Sequence, residues 1–117
     1  MRPEDTIQAA IVDYLRAVLP PMYRVYAIPN AARRTASGRA SNAVPGLYPG
    51  VADLQIIGPG GYVWVAEIKT AKGVLSDAQK DWRDWYGQNY VPYAIWRSID
   101  DCRASLKEWK LETREAA

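Results

Sequence analysis

The chain has 117 residues, of which 49% are hydrophobic and 24% charged, and its formal net charge is +2. This balance predicts one soluble globular domain spanning residues 1–117, with no membrane-spanning run and no secretory signal. The sequence contains no histidine and one cysteine, Cys102, which excludes histidine-based triads, HExxH zinc sites and thiolate zinc sites. We therefore expect a cytoplasmic protein whose chemistry, if hydrolytic, uses carboxylates, lysine and a hard metal ion.

Apolar periodicity and turn residues predict seven elements in the order α-β-β-β-α-β-α. A helix over 4–19 carries an apolar stripe and ends before Pro20 and Pro21, and a strand follows over 23–28. The remaining elements are strands over 53–57 and 62–69, a helix beginning at Ser76 and ending near Gly87, a strand over 91–98, and a final helix whose apolar stripe is Ile99, Cys102, Leu106 and Trp109.

A long segment, residues 29–50, separates the first two strands and is rich in Gly, Pro, Ser and Asn. Loops of this length usually carry a function. No acidic residue lies between Asp13 and Asp53, whereas five arginines do: Arg16, Arg24, Arg33, Arg34 and Arg39. Because guanidinium groups bind phosphate in a bidentate manner, the pattern favours a surface that faces nucleic acid. A solvated basic loop is the alternative interpretation.

The hairpin over residues 53–69 carries three charged side chains, Asp53, Glu67 and Lys69. If a three-residue loop joins its strands, Asp53 falls opposite Glu67, with Cβ atoms about 4.5–5.5 Å apart. Glu67 and Lys69 are two residues apart and share a face of the sheet. Two carboxylates this close repel each other unless a cation lies between them, and Mg²⁺ accepts such a pair. An ion pair on an exposed sheet face is the alternative.

This arrangement resembles the VRR-NUC domain of the PD-(D/E)XK nuclease superfamily. The similar stretches are "EDTIQ" in the first helix, "PNAARR" and "GR" in the basic loop, "GLYPGVADL" before the hairpin, "VAEIKTAKGVLSDAQKDW", and a closing strand and helix. The resemblance implies an α/β fold with a restriction-endonuclease-like core, a mixed sheet flanked by helices. One departure is visible, because Ala52 stands where a backbone-shaping proline is common.

The resemblance also implies roles for individual residues. It makes Asp53, Glu67, Lys69 and Gln79 the catalytic residues, and makes Glu4, Asp53, Glu67 and the backbone carbonyl of Ile68 the metal ligands. The expected DNA contacts are Arg33, Arg34, Arg39, Gln8 and Lys72. Plainer interpretations stay open, because Gln79 completes a capping box with Ser76, Glu4 suits the first turn of any helix, and Gln8 can simply face solvent.

The expected function is that of a Mg²⁺- or Mn²⁺-dependent DNA endonuclease. By resemblance its substrate is branched DNA, such as a Holliday junction or a flap, the protein is a homodimer, and it acts in a bacterial or phage-infected cell. The alternatives are a non-catalytic nucleic-acid-binding or partner-docking module on the same fold, and a basic scaffold protein. Trp82, Trp85 and Tyr86 follow helical spacing and favour a core or interface role over base stacking.

Overall fold

The computed structural model describes residues 2–29 and 45–114. The element order is α-β-β-β-α-β-α, which confirms the prediction. The elements are α1 (Pro3–Val18), β1 (Arg24–Ala27), β2 (Leu54–Ile57), β3 (Val63–Ile68), α2 (Asp77–Gln88), β4 (Tyr93–Trp96) and α3 (Ile99–Glu108), and a 3-10 turn, Pro59–Gly61, joins β2 to β3. Within the described ranges, no helix has the length and apolar character needed to cross a bilayer.

The four strands form one mixed sheet in the order β1-β2-β3-β4. Strands β1, β2 and β3 are antiparallel neighbours, whereas β4 runs parallel to β3. Parallel neighbours need a crossover, and α2 supplies it. Helices α1 and α3 pack together against one face of the sheet, and α2 covers the other face beside β4.

The main core lies between the sheet and the pair α1 and α3. Ile11 and Leu15 of α1 are fully buried against Leu54 and Ile56 of β2, and Trp96 of β4 joins them. The i, i+4 spacing of Ile11 and Leu15 places both on one side of the helix. Each such buried aliphatic side chain stabilises the fold by about 1.5–3 kcal/mol. The apolar stripe predicted for α3 is also confirmed, with Cys102 and Leu106 buried.

A smaller cluster lies under α2 and contains buried Ala52, Val65 and Tyr86. The Tyr86 ring stacks on Tyr93 at a centroid distance of 5.5 Å. Trp82 packs partly buried against the same cluster. These contacts confirm a packing role for Tyr86 and Trp82. Trp85 differs from both, because its side chain is exposed.

The predicted role of Gly87 as the glycine that stops the second helix is wrong. Helix α2 continues through Gly87 to Gln88, and Tyr90 adopts the left-handed conformation instead, with φ 59°. The N–H of Val91 bonds the carbonyl of Tyr86 at 2.9 Å, and that of Tyr90 reaches the carbonyl of Gly87 at 3.5 Å. This is a Schellman termination, and the packing of Val91 against the Tyr86 cluster sets its position.

Candidate active site

The register of the hairpin decides which charged residues meet. Leu54 pairs with Ala66 and Ile57 with Val63, and the N–H of Gly58 bonds the carbonyl of Tyr62 at 2.9 Å. This register corresponds to a three-residue loop, the length that was assumed when Asp53 was placed opposite Glu67. One step beyond Leu54 and Ala66, it sets Asp53 against Glu67, and Lys69 follows on the same face as Glu67.

The carboxyl groups of Asp53 and Glu67 interact directly, and Glu67 is only 1% exposed. The pKa of Glu67 is raised to about 9, mainly by burial, and the hydrogen bond to Asp53 and the charge of Asp53 contribute to the same rise. Lys69 opposes this rise through its positive charge, and Glu4 adds to it. Without a cation, Glu67 therefore keeps its proton at neutral pH.

Backbone amides of two other strands hold Asp53 in place. Its Oδ2 accepts a hydrogen bond from the N–H of Ile68 at 2.8 Å, and its carbonyl accepts one from the N–H of Ile28 at 2.8 Å. In a strand, the N–H and C=O of one residue point to the same side. The carbonyl of Ile68 therefore faces the side on which Asp53 lies.

Gln79 connects the start of α2 to Glu67. Its backbone N–H bonds Ser76 Oγ and its Oε1 accepts from the N–H of Ser76, which completes a capping box. Its Nε2 donates to Glu67 Oε1 at 3.0 Å. Both interpretations of Gln79 are thus compatible, since one side chain caps the helix and orients the buried carboxyl.

Lys69 is 7% exposed and stands at the end of β3, where its N–H bonds the carbonyl of Trp96 at 3.1 Å. The turn that follows it is held by Arg97, whose Nη1 donates to the carbonyls of Thr70 at 2.6 Å and Gly73 at 2.8 Å. Sequence analysis missed Arg97. A single arginine after a strand gives no signal of its own, because its acceptors lie more than twenty residues earlier in the chain.

The segment before Asp53 rests on α2 at two points. Gly50 has φ +84°, and a Cβ there would overlap the backbone of Ala78. The N–H of Ala52 donates to Tyr86 Oη at 3.3 Å, and both residues are buried. Helix α2 therefore supports both sides of the carboxylate pair, Glu67 through Gln79 and the Asp53 segment through Gly50 and Ala52.

Other expected site residues are not brought into the pair. Glu4 acts on Glu67 through its charge, but the described ranges contain no group of three or more His, Cys, Asp or Glu side chains placed to hold a metal ion. Gln8 is half-buried one turn after Glu4, and Lys72 is exposed in the turn held by Arg97. Arg33, Arg34 and Arg39 lie outside the described residues.

The donor set near Asp53 suits a hard divalent cation. Two carboxylates and a backbone carbonyl are oxygen ligands of the kind that Mg²⁺ and Mn²⁺ accept. A cation between the carboxyl groups of Asp53 and Glu67 would favour the ionised form of Glu67, which burial and Asp53 disfavour. Asp53, Glu67 and the Ile68 carbonyl can therefore hold such an ion, with Glu4 as a nearby acid.

Comparisons with known proteins agree with the architecture. No protein-family model and no curated protein matches the sequence. Among solved structures, one described as a "VRR_NUC domain" matches with 18% sequence identity and a TM-score of 0.60, covering 90% of this chain and 94% of its own. Identity at this level carries the fold alone. The chain has the restriction-endonuclease-like fold of the VRR-NUC domain, as its sequence predicted.

Proposed function

We propose that this chain is a metal-dependent DNA endonuclease that hydrolyses phosphodiester bonds. The observation that carries the proposal is the meeting of Asp53, Glu67 and Lys69 at one end of the hairpin, with Glu67 and Lys69 buried. Burying charged groups costs several kcal/mol per ion unless they are paired, so such a cluster is a candidate for function. The nuclease fold supports the same proposal.

The proposed cofactor is Mg²⁺ or Mn²⁺, with Asp53, Glu67, the Ile68 carbonyl and Glu4 as its ligands. When bound, such an ion would supply Lewis-acid chemistry, polarising a phosphodiester and activating a water molecule as the nucleophile. Lys69 donates hydrogen bonds to the attacking water or to the phosphoryl oxygens, where negative charge accumulates. Gln79 keeps Glu67 in one orientation through its amide.

The proposed substrate is branched DNA, such as a Holliday junction or a flap, cut in replication, repair or recombination in the cytoplasm of a bacterial or phage-infected cell. Arg33, Arg34, Arg39, Gln8 and Lys72 are proposed to contact the phosphate backbone. A homodimer would present two sites related by a two-fold axis, which suits paired cuts. Sedimentation velocity tests this part directly, because a dimer has twice the 13.1 kDa mass of the chain.

The test of activity uses labelled four-way junction, flap, single-stranded and duplex DNA with Mg²⁺, Mn²⁺ or EDTA. Asp53→Asn and Lys69→Ala are the informative variants, and Lys107→Ala is the matched control, because Lys107 is an exposed lysine near the end of α3. We expect the wild type and the control to cut, and EDTA and both site variants to abolish cutting.

Two results would redirect the proposal. Binding of DNA without cutting under any metal would favour a non-catalytic nucleic-acid-binding module on this fold. Cutting that survives in Asp53→Asn and Lys69→Ala would mean that these residues do not form the active site.

A further inference from the structure

The buried contact between Ala52 and Tyr86 joins the segment before Asp53 to the middle of α2. Tyr86 is 5% exposed, Ala52 is fully buried, and the two lie 34 residues apart in the chain. An unsatisfied buried amide costs about 1–3 kcal/mol. Tyr86 Oη, at 3.3 Å, supplies the acceptor that the N–H of Ala52 needs.

The Ala52–Tyr86 hydrogen bond lies one peptide unit before Asp53 and therefore affects the position of the Asp53 carboxylate. Asp53 follows Ala52 directly, and its Oδ2 lies 2.8 Å from the N–H of Ile68. The amide of Ile28 holds the Asp53 carbonyl at 2.8 Å. These two bonds fix Asp53 from the β1 and β3 sides, and the Tyr86 hydroxyl fixes the residue before it from the side of α2.

We propose that Tyr86 is a positioning residue for Asp53, acting through its hydroxyl on the Ala52 amide. The inference rests on the proposed function for its consequence in metal binding. In this role Tyr86 acts through the Ala52 amide. It sets the direction in which the chain enters β2, and therefore where the Asp53 carboxylate stands relative to Glu67.

A proline at position 52 should compensate for the loss of the Tyr86 hydroxyl. Proline has no N–H and fixes φ near −65°, so a proline at position 52 needs no acceptor and restricts the same backbone by covalent means. In the wild-type background its Cδ would press on the Tyr86 hydroxyl, which lies where the amide proton points. Removal of that hydroxyl by Tyr86→Phe relieves the contact. The hydroxyl and the proline are therefore alternatives that exclude each other.

The experiment compares wild type, Tyr86→Phe, Ala52→Pro and the double variant. Tyr93→Phe is the matched control, because the Tyr93 ring stacks on Tyr86 but its buried hydroxyl has no hydrogen-bond partner among the described residues. Two quantities are measured on folded protein: hydrogen exchange of the Ile68 amide without metal, and Mn²⁺ affinity by calorimetry. The Val65 amide, which bonds the Pro92 carbonyl on the β4 side, is the internal reference for exchange.

We expect Tyr86→Phe to speed exchange at Ile68 relative to Val65 and to weaken Mn²⁺ binding about tenfold, the usual scale for a group that orients a ligand. The double variant should restore both quantities, Ala52→Pro alone should not reach wild-type values, and Tyr93→Phe should match the wild type in exchange at Ile68. If Tyr86→Phe does not fold alone, the double variant still should.

Unchanged exchange at Ile68 in Tyr86→Phe would overturn the inference, and so would a defect that the double variant does not repair. The proposed nuclease function fails separately. A separate outcome is that the wild type binds no Mn²⁺ or cuts no DNA while the exchange results follow the expected pattern. In that case the positioning role of Tyr86 is supported and the proposed nuclease function is ruled out.

Discussion

Glu67 carries its carboxyl group in the interior of the protein. Its side chain is 1% exposed, and burial together with Asp53 raises its pKa to about 9 from the ordinary 4.5. The folded protein therefore holds a proton that the unfolded chain releases between these two pH values. Stability from this group is fully present below pH 4.5 and is lost as the pH rises toward 9. The total effect is on the order of several kcal/mol.

The first prediction follows from this loss of stability with rising pH. In EDTA, the free energy of unfolding of the wild type should fall between pH 5 and pH 9, whereas Glu67→Gln, which mimics the protonated carboxyl, should change much less. The variant should be the more stable protein at pH 8.5. Urea denaturation at several pH values measures this. Parallel pH curves for the two proteins would show that Glu67 does not keep its proton on folding.

The second prediction concerns two glycines that share a left-handed conformation, Gly50 at φ +84° and Gly46 at φ +87°. A Cβ at Gly50 would overlap the Ala78 backbone, whereas a Cβ at Gly46 would meet no atom of the described residues within 4 Å. Gly46→Ala should therefore cost only the backbone strain, about 1–2 kcal/mol. Gly50→Ala should cost clearly more and should also reduce DNA cutting, because it pushes the Asp53 segment off α2. Equal losses of stability would contradict the close approach.

At the scale of elements, α2 is the support of the candidate site. Its first turn carries Gln79, which binds Glu67, and its last turns carry Tyr86, which binds Ala52. The helix ends only where Val91 reaches the small core, and this moves the left-handed residue to Tyr90. Helix α3 ends in the same way, with Lys110 at φ 60° and the N–H of Leu111 bonded to the carbonyl of Leu106.

The third prediction tests that termination. Tyr90 is 92% exposed, so Tyr90→Gly should remove backbone strain without losing packing and should stabilise the protein by about 1 kcal/mol. Gly87 is helical with open space around it, so Gly87→Ala should also stabilise, by up to about 1 kcal/mol. Thermal denaturation measures the stability change of both variants. A loss of stability in Gly87→Ala would mean that the helix does end there.

At the scale of the whole molecule, charge is distributed unevenly although the net value is only +2. The acid-free stretch between Asp13 and Asp53 contains five arginines, and the candidate site begins at its end. Three of these arginines, Arg33, Arg34 and Arg39, are proposed to contact DNA. Binding through such groups depends on the release of counterions from phosphate.

The fourth prediction concerns the release of counterions when DNA binds. The logarithm of DNA affinity should fall steeply with the logarithm of salt concentration, and each of Arg33→Ala, Arg34→Ala and Arg39→Ala should reduce the slope by about one. Arg103→Ala serves as the control, because Arg103 pairs with Asp100 at 2.8 Å on α3. Fluorescence anisotropy in EDTA follows binding without cutting. If the DNA affinity did not change with salt concentration, the basic segment would not be part of the DNA-binding surface.

The sequence by itself determined the local features of this protein. Element order followed from apolar periodicity, and strand alternation brought Asp53, Glu67 and Lys69 to one patch of the hairpin, whereas the three-residue length of its loop was assumed. Both are local, because strand alternation and turn chemistry act over a few residues. The Ser76 capping box could be predicted for the same reason.

Only the tertiary structure decided how the site is supported. The bonds from Ala52 to Tyr86 and from Arg97 to the turn after Lys69 join residues 24 to 34 positions apart, and nothing in the intervening sequence specifies them. The end of α2 beyond Gly87 was likewise set by the packing of Val91. The partner of a side chain in another element depends on how the helices pack on the sheet. The strand that a residue belongs to, and the face of the sheet on which its side chain lies, depend on its neighbours in sequence.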